Sequence, residues 1–228
     1  MEDSIKIIKK SELKEKPNQE DIWNSIAKPW KTYVVKKVLI VEEFLQGKKG
    51  KIVDLGCGTG RNMLPNKQVE YYAVDFSQEQ LKHAEKYIKK NKIKAKLFKS
   101  NTSKLSKKDF KNNMFDYGLF IATLHCLETP KQRLDALKEF YRVLKKGAEG
   151  LISIWNSQDK RFNHVGNKGD IYMSWKDGGI SYMRYYYLYS KEKFLKLLES
   201  VGFKVLYFYE PREHDRFSKK NWVVKVEK

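Results

Sequence analysis

Three glycines at alternate positions, Gly56, Gly58 and Gly60, follow directly on Lys51-Ile52-Val53-Asp54-Leu55. Glycine lacks a Cβ, so such a loop lets its backbone come close to a ligand. Asp54 sits at the end of the apolar run before the loop. A second acid, Asp75, ends the next apolar run, Tyr71-Tyr72-Ala73-Val74, twenty-one residues after Asp54. At the end of a neighbouring strand, an acid can accept hydrogen bonds from ribose hydroxyls. The chemistry on offer is the binding of a nucleoside-containing molecule. Asp54 either helps hold that molecule or caps the loop. Asn101 and Thr102 follow a third run, where an adenine edge would lie, or they form a plain Asx turn. His125 lies just past a fourth run. It is either a satisfied structural histidine or a group facing a substrate at a strand's carboxyl end.

The elements that must position these residues alternate. Strands are expected at 51–55, 70–74, 94–98, 115–122 and 151–155. The run Phe115 to Ala122 is almost continuously apolar, as in a strand buried on both faces. A helix follows Ser77, an N-cap with Gln80 three residues later. Another opens at Thr129-Pro130 and runs to Leu144, closed by Lys145-Lys146-Gly147. Such alternation predicts a mainly parallel sheet with helices on both faces, an α/β fold. Residues 20–45 read as one or two helices. Residues 1–19 read as a loosely held arm with a paired edge segment around Ile5 to Ile8. From Asn156 to Gly179 the pattern breaks into a polar stretch with three aromatics, a long connection of the functional or disordered kind. Tyr182 to Tyr189 alternates as a half-buried strand. Ser190 caps a helix ended by Gly202, and 203–209 and 221–226 form a terminal antiparallel hairpin with a basic loop. The expected organisation is a single domain over 1–228, with 1–19 as its arm and 156–189 as an inserted recognition region.

The 228 residues suffice for one domain with a full core. Forty-seven basic against 28 acidic residues leave a formal charge of +19, which points to a polyanion, although a lysine-rich surface accounts for part of the excess. The two cysteines, Cys57 and Cys126, have no spacing partners for zinc and are too few for a disulfide scaffold, so no metal is expected and a reducing cytosol is. The longest mainly apolar stretch, Phe115 to Leu127, is too short to span a bilayer.

The form Asp-Leu-Gly-x-Gly-x-Gly resembles the S-adenosylmethionine site of class I methyltransferases. Four further stretches narrow the resemblance to the tRNA wobble-uridine carboxymethyl methyltransferases. Phe120-Ile121-Ala122-Thr123-Leu124-His125-Cys126-Leu127 is similar to that family's Ser-Ile-Ala-Val-Ile-His-His-Leu, and Arg133 falls where the family has an arginine shortly afterwards. Asp170 to Trp175 resembles Asp-x-x-x-Pro-Trp. Arg184-Tyr185-Tyr186-Tyr187-Leu188-Tyr189 resembles Arg-Tyr-Tyr-His-Leu-Phe, and Asn221-Trp222 the family's terminal Asn-Trp strand. The chain departs from the pattern at Cys126, Tyr187, Ser174 and Asn101.

The resemblance implies a seven-stranded class I methyltransferase fold, S-adenosyl-L-methionine as cofactor, and methylation of the carboxylate of 5-carboxymethyluridine in tRNA. It also implies a small zinc-ribbon activator protein as partner. Gly56, Gly58, Gly60, Asp54, Asp75, Asn101 and Thr102 are then the cofactor residues, and His125 and Arg184 the groups at the reacting centre. A carboxylate is already ionised at neutral pH, so the reaction demands no general base. His125 would bind the acceptor base. Tyr185 and Trp175 would stack unpaired bases. Arg133 would lie near the rim, or be an ordinary helix-surface arginine. Arg212 and Arg216 would meet phosphates, or form a solvated hairpin tip. The rivals are a methyltransferase of small molecules or proteins and a non-catalytic RNA-binding subunit.

Overall fold

A computed structural model of the chain describes residues 5–33 and 36–228. Its main sheet is built outward from β2 (Gly50–Leu55). The chain runs first to β3 (Val69–Asp75) and β4 (Ala95–Lys99), then returns to the other side of β2 with β5 (Phe115–Ile121) and β6 (Leu144–Trp155). All four pairings are parallel. The last strand, β10 (Asn221–Glu227), inserts antiparallel between β6 and β9 (Lys204–Tyr209), so the sheet order is β4-β3-β2-β5-β6-β10-β9. The order reverses beside β2, so the crevice at the carboxyl ends of β2 and β5 is where an open α/β sheet binds its ligands.

Apolar residues on both sheet faces explain the parallel arrangement. Val53, Leu55, Phe120 and Ile152 point into one layer of core, and Ile52, Ala73, Leu119 and Leu151 into the other. Helix α4 (Gln78–Asn91) packs in the second layer. Helices α5 (Pro130–Val143) and α6 (Lys191–Val201) pack in the first. The ring of Phe140 lies where a side chain on Gly118 or Gly150 would project, so two strand glycines let α5 settle against the sheet. The helix ends behave as the sequence predicts. Thr129 and Gln132 form a reciprocal capping box, and Ser190 caps α6, which ends at Gly202. Ser77 accepts from the Gln80 amide, but the Gln80 side chain does not return the bond.

Several boundaries differ from expectation. Residues 20–45 form three short helices, α1 (Gln19–Ser25), α2 (Ala27–Tyr33) and α3 (Leu39–Leu45). Strand β6 starts at Leu144 and takes in Lys145-Lys146-Gly147, because Gly147 at φ +71° lets the chain turn straight from helix into sheet. A short helix, α7 (Arg216–Lys220), lies in the terminal hairpin connection.

The polar stretch after Asn156 is ordered into a two-turn 3-10 helix at Lys160–Val165 and a strand, β7 (Gly169–Asp177). Strand β7 pairs antiparallel with β8 (Ile180–Leu188) through the two-residue turn Gly178-Gly179. On its other side β7 pairs with β1 (Ile7–Lys9), which is the edge segment expected in the arm. This three-stranded sheet and helices α1 and α2 stand over the crevice of the main sheet. Among the described residues no helix is long and apolar enough to cross a membrane.

Candidate active site

A cavity of about 280 Å³ opens at the carboxyl ends of β2, β3 and β5. Its floor is the glycine loop. The Gly56 and Cys57 amides donate to the Val74 carbonyl at 2.7 and 2.9 Å, which folds the loop back over β3. Gly56 adopts φ +74°, and a Cβ there would collide with the Thr123 side chain. Asp75 then locks the loop. One carboxylate oxygen accepts from the Gly58 amide at 2.8 Å and the other from the Ser77 amide at 2.9 Å. Burial pushes the Asp75 carboxyl up to about 6, although these N–H groups pull the other way.

Asp54 is fully buried at the end of β2, and neither of its oxygens has a hydrogen-bond partner. Burial, reinforced by the charge of Asp75, pushes its carboxyl up to about 7, while Arg61 opposes the shift. Asp54 lies behind the cavity lining, whereas other buried polar atoms without partners among the described residues line it: Asn62 Oδ1, both ends of the Gln80 carboxamide and Thr102 Oγ1. Asn101 also lines it. Its side chain accepts from the Ser103 amide and hydroxyl, so it does form an Asx turn. Gly60 faces Met63 and Ala84 instead, and serves the packing of α4.

Buried donors and acceptors left without partners are costly unless something meets them. Here they surround a cavity of nucleoside size, beside a loop whose backbone is bare. These residues fit S-adenosylmethionine. Asp75 would hold the ribose, Thr102 and Asn101 the adenine side, and Asp54 with Arg61 the charged amino-acid end. Arg61 had no sequence signal beyond following the loop. The sequence marks Gln80 only as a partner of the Ser77 cap.

Asp54 carries a testable consequence. Its folded pKa is raised above the ordinary 3.8, so the protein is stabilised relative to its unfolded chain while Asp54 is protonated. That contribution is lost as pH rises through about 7. A cationic ligand group requires the ionised form. Cofactor affinity is therefore expected to climb about tenfold per pH unit below 7 and level off above. Asp54→Asn should melt higher than wild type at pH 8 without cofactor, yet bind cofactor at least tenfold more weakly. Calorimetry and thermal melting from pH 5.5 to 8.5 check both, and a pH-independent wild-type affinity would contradict the assignment.

The opposite wall comes from α1, α2 and β5. Asn24 of α1 accepts from the Ser77 hydroxyl at 2.7 Å and the Glu79 amide at 3.2 Å, tying α1 to the Asp75 loop. Trp23, Trp30, Ala122, Thr123, Cys126 and Leu127 line the cavity beside it. Behind Trp30 lies Arg184, with its guanidinium 5.3 Å from the Trp30 ring, 5.2 Å from Trp175, 5.5 Å from Tyr186 and 6.0 Å from Trp23. Its Nη2 donates to the Ser174 carbonyl at 3.4 Å, and its Nε is buried without a hydrogen-bond partner among the described residues. Trp175 packs edge-on against Trp30 and Tyr33.

The remaining expected residues are placed differently. His125 is 1% exposed and does not line the cavity. It packs against the Trp155–Tyr186 ring pair, with centroids at 5.1 and 5.6 Å. Burial first, and then the charge of Arg161, pull its pKa down to about 3, so it is neutral at physiological pH. Tyr185 is fully buried on the face of β8 opposite Arg184, so its ring offers no platform to a base. Its hydroxyl donates to Asp170 and accepts from Arg133 Nη1. The same Arg133 nitrogen donates to the Leu127 carbonyl at 2.7 Å. Arg133 is 3% exposed, so it is neither a rim nor a helix-surface residue. Together they position the cavity wall at Leu127 without touching the cavity. Arg212 is drawn away by a two-pronged ion pair to Glu43, while exposed Arg216 reaches the Tyr33 hydroxyl at 3.5 Å.

Comparison with known proteins agrees with this geometry. A methyltransferase-domain family model matches residues 52–147. A Schizosaccharomyces pombe tRNA (carboxymethyluridine(34)-5-O)-methyltransferase is 28% identical over 88% of either chain. An Encephalitozoon cuniculi protein provisionally named a methyltransferase is 31% identical over 68% of this chain and 70% of its own. In fold, an S-adenosylmethionine-dependent methyltransferase from Clostridium acetobutylicum superposes with a TM-score of 0.67 at 18% identity, covering 90% of this chain and 98% of that one.

Proposed function

Because this chain belongs to the class I S-adenosylmethionine-dependent methyltransferases, we propose that its acceptor is tRNA. The methyl group would go to the carboxylate of 5-carboxymethyluridine at the wobble position. The observation that carries this reading is that, among the described residues, the titratable side chains lining the cavity face a cation or an amide or stay protonated, while the unpaired Asp54 lies off the lining. His125 is neutral, sequestered and off the cavity wall. Burial pushes the Cys126 thiol up to about 12, which keeps it protonated. The carboxylates of the wall face cations or amides: Glu20 and Glu128 lie 2.8 and 3.1 Å from the Lys99 and Lys16 ammonium groups, Glu128 Oε1 making no hydrogen bond among the described residues, and Asp75 accepts from the loop amides. An acceptor that needs no deprotonation suits such a site, and a carboxylate is one. The S. pombe relative carries that activity in its name over nearly its whole length.

Bound at the glycine loop, the cofactor supplies an electrophilic methyl group on a sulfonium. The protein's part is alignment and dryness. Trp23 and Trp30 form an apolar wall beside the loop, and Asn24 ties α1 down onto it. Arg184, behind Trp30 and outside the cavity lining, would supply a buried cation that attracts the acceptor, its charge facing the rings of Trp23, Trp30, Trp175 and Tyr186. Formal charge +19 suits a polyanion substrate. A zinc-ribbon activator, which the resemblance implies, has a candidate seat at β4. That strand lies at an edge of the main sheet with Leu97 and Phe98 half-buried.

The product is an ester, and esters hydrolyse in mild alkali, whereas methyl groups on carbon, ring nitrogen or ribose oxygen stay in place. Radiolabel transferred from methyl-labelled cofactor to bulk tRNA is therefore expected to be released as methanol by brief alkaline treatment. Label that survives this treatment would refute the carboxylate acceptor.

A further inference from the structure

Arg161, in the 3-10 helix between β6 and β7, is not explained by the fold alone. Its guanidinium stacks 4.6 Å from the Trp155 ring and 4.5 Å from Phe162, behind the His125 and Tyr186 rings. Its Nε and Nη2 are buried and have no hydrogen-bond partner. These two nitrogens share one edge of the guanidinium and carry the parallel N–H pair that grips a carboxylate or phosphate at two points. The nearest carboxylate, Asp159, stands 3.6 Å from Nε, beyond hydrogen-bond distance. It caps the turn by accepting from the Arg161 amide at 3.0 Å, and its other oxygen faces Lys220 Nζ at 3.3 Å.

Arg184 is linked to Arg161 through two packed rings: its guanidinium lies 5.5 Å from the Tyr186 ring, which packs 3.8 Å from the Trp155 ring that Arg161 stacks on. Among the described residues Arg184 has no carboxylate within ion-pair distance, and its Nε is unpartnered too. Arg161 and Lys220 share one acid, Asp159. A buried guanidinium with an unmet edge is expensive, and stacking on aromatic faces offsets only part of that. The excess charge and the open fork call for an anion. The rings of Trp30, Tyr33 and Trp175 pack on one another beside Arg184, and Trp30 also walls the cofactor cavity.

We propose that Arg161 is a second anion-binding residue of the substrate site. It presents its Nε/Nη2 edge, alongside Arg184, to one oxyanion of the RNA. That oxyanion is the carboxylate of the target nucleoside or a phosphate flanking it. The inference rests on the tRNA reading above.

Three anticodon stem-loop RNAs separate the sources. The first carries 5-carboxymethyluridine. The second carries its neutral carboxamide counterpart. The third is the acid with uncharged methylphosphonates at the two flanking phosphates. Affinity is measured for wild type, Arg161→Lys, which keeps charge but loses the fork, and Arg161→Gln, with melting and cofactor affinity as folding controls. Both variants should bind the first RNA about tenfold to a hundredfold more weakly. If the carboxylate is held, the loss vanishes on the carboxamide. If a phosphate is held, it vanishes on the methylphosphonate RNA. No loss, or an equal loss on all three RNAs, would overturn the proposal. Failure of the functional reading shows in wild type alone, as no ester formed on the first RNA. The affinities would still decide the role of Arg161.

Discussion

Asp75→Ala is expected to weaken S-adenosylmethionine binding by about a hundredfold or more while the protein remains folded. The size follows from what Asp75 holds. Its two oxygens accept from Gly58 and Ser77, fixing the glycine loop and the start of α4 in one arrangement. The variant loses that clamp together with the ribose contact. Asp75→Asn should be nearly as poor, because an amide would turn an N–H toward one of two donors. The wild-type carboxyl is strained by burial, so its removal should cost little stability. Calorimetry on variants with intact melting transitions checks this. An unchanged affinity in a folded variant would remove Asp75 from the cofactor site.

The second large effect separates recognition from proton transfer. Arg184→Ala should lower kcat/KM by about a hundredfold or more, since it removes the buried cation around which Trp23, Trp30, Trp175 and Tyr186 are arranged. His125→Asn should stay within about tenfold of wild type, because His125 is neutral and packs behind the wall. The single-turnover rate at saturating cofactor should be level from about pH 6 to 9, as an acceptor with a pKa near 4 is ionised throughout. Saturation matters, because Asp54 and Asp75 titrate near 7 and 6 and would otherwise impose the pH dependence of cofactor binding on the rate. A rate rising tenfold per unit near pH 7, and abolished in His125→Asn, would make His125 a general base and point away from a carboxylate acceptor.

Local pattern was enough for the cofactor loop. Asp54, the alternate glycines and Asp75 lie within one strand-loop-helix-strand unit, where spacing alone fixes which groups meet. The substrate wall depends on contacts between distant segments. Arg184 meets Trp23 and Trp30 of α1 and α2 and Trp175 of β7, and nothing in the sequence of β8 announces them. Alternation along β8 puts Arg184 and Tyr186 on one face and Tyr185 on the other, which already argues against Tyr185 as a stacking partner. Gly178-Gly179 between two alternating runs is a hairpin signal, and it would have revealed β7. Arg61 and Arg161 were not legible. Each is one basic residue among 47, singled out only by the buried surroundings that the fold gives it.

The central claim is the identity of the acceptor atom. It is tested most directly by incubating the protein with methyl-deuterated S-adenosylmethionine and tRNA bearing 5-carboxymethyluridine, then digesting to nucleosides for mass spectrometry. The predicted result is label confined to the methyl ester of 5-carboxymethyluridine. Label on a ring nitrogen, a ring carbon or a ribose hydroxyl, or a tRNA left unlabelled while another acceptor is methylated, would contradict it.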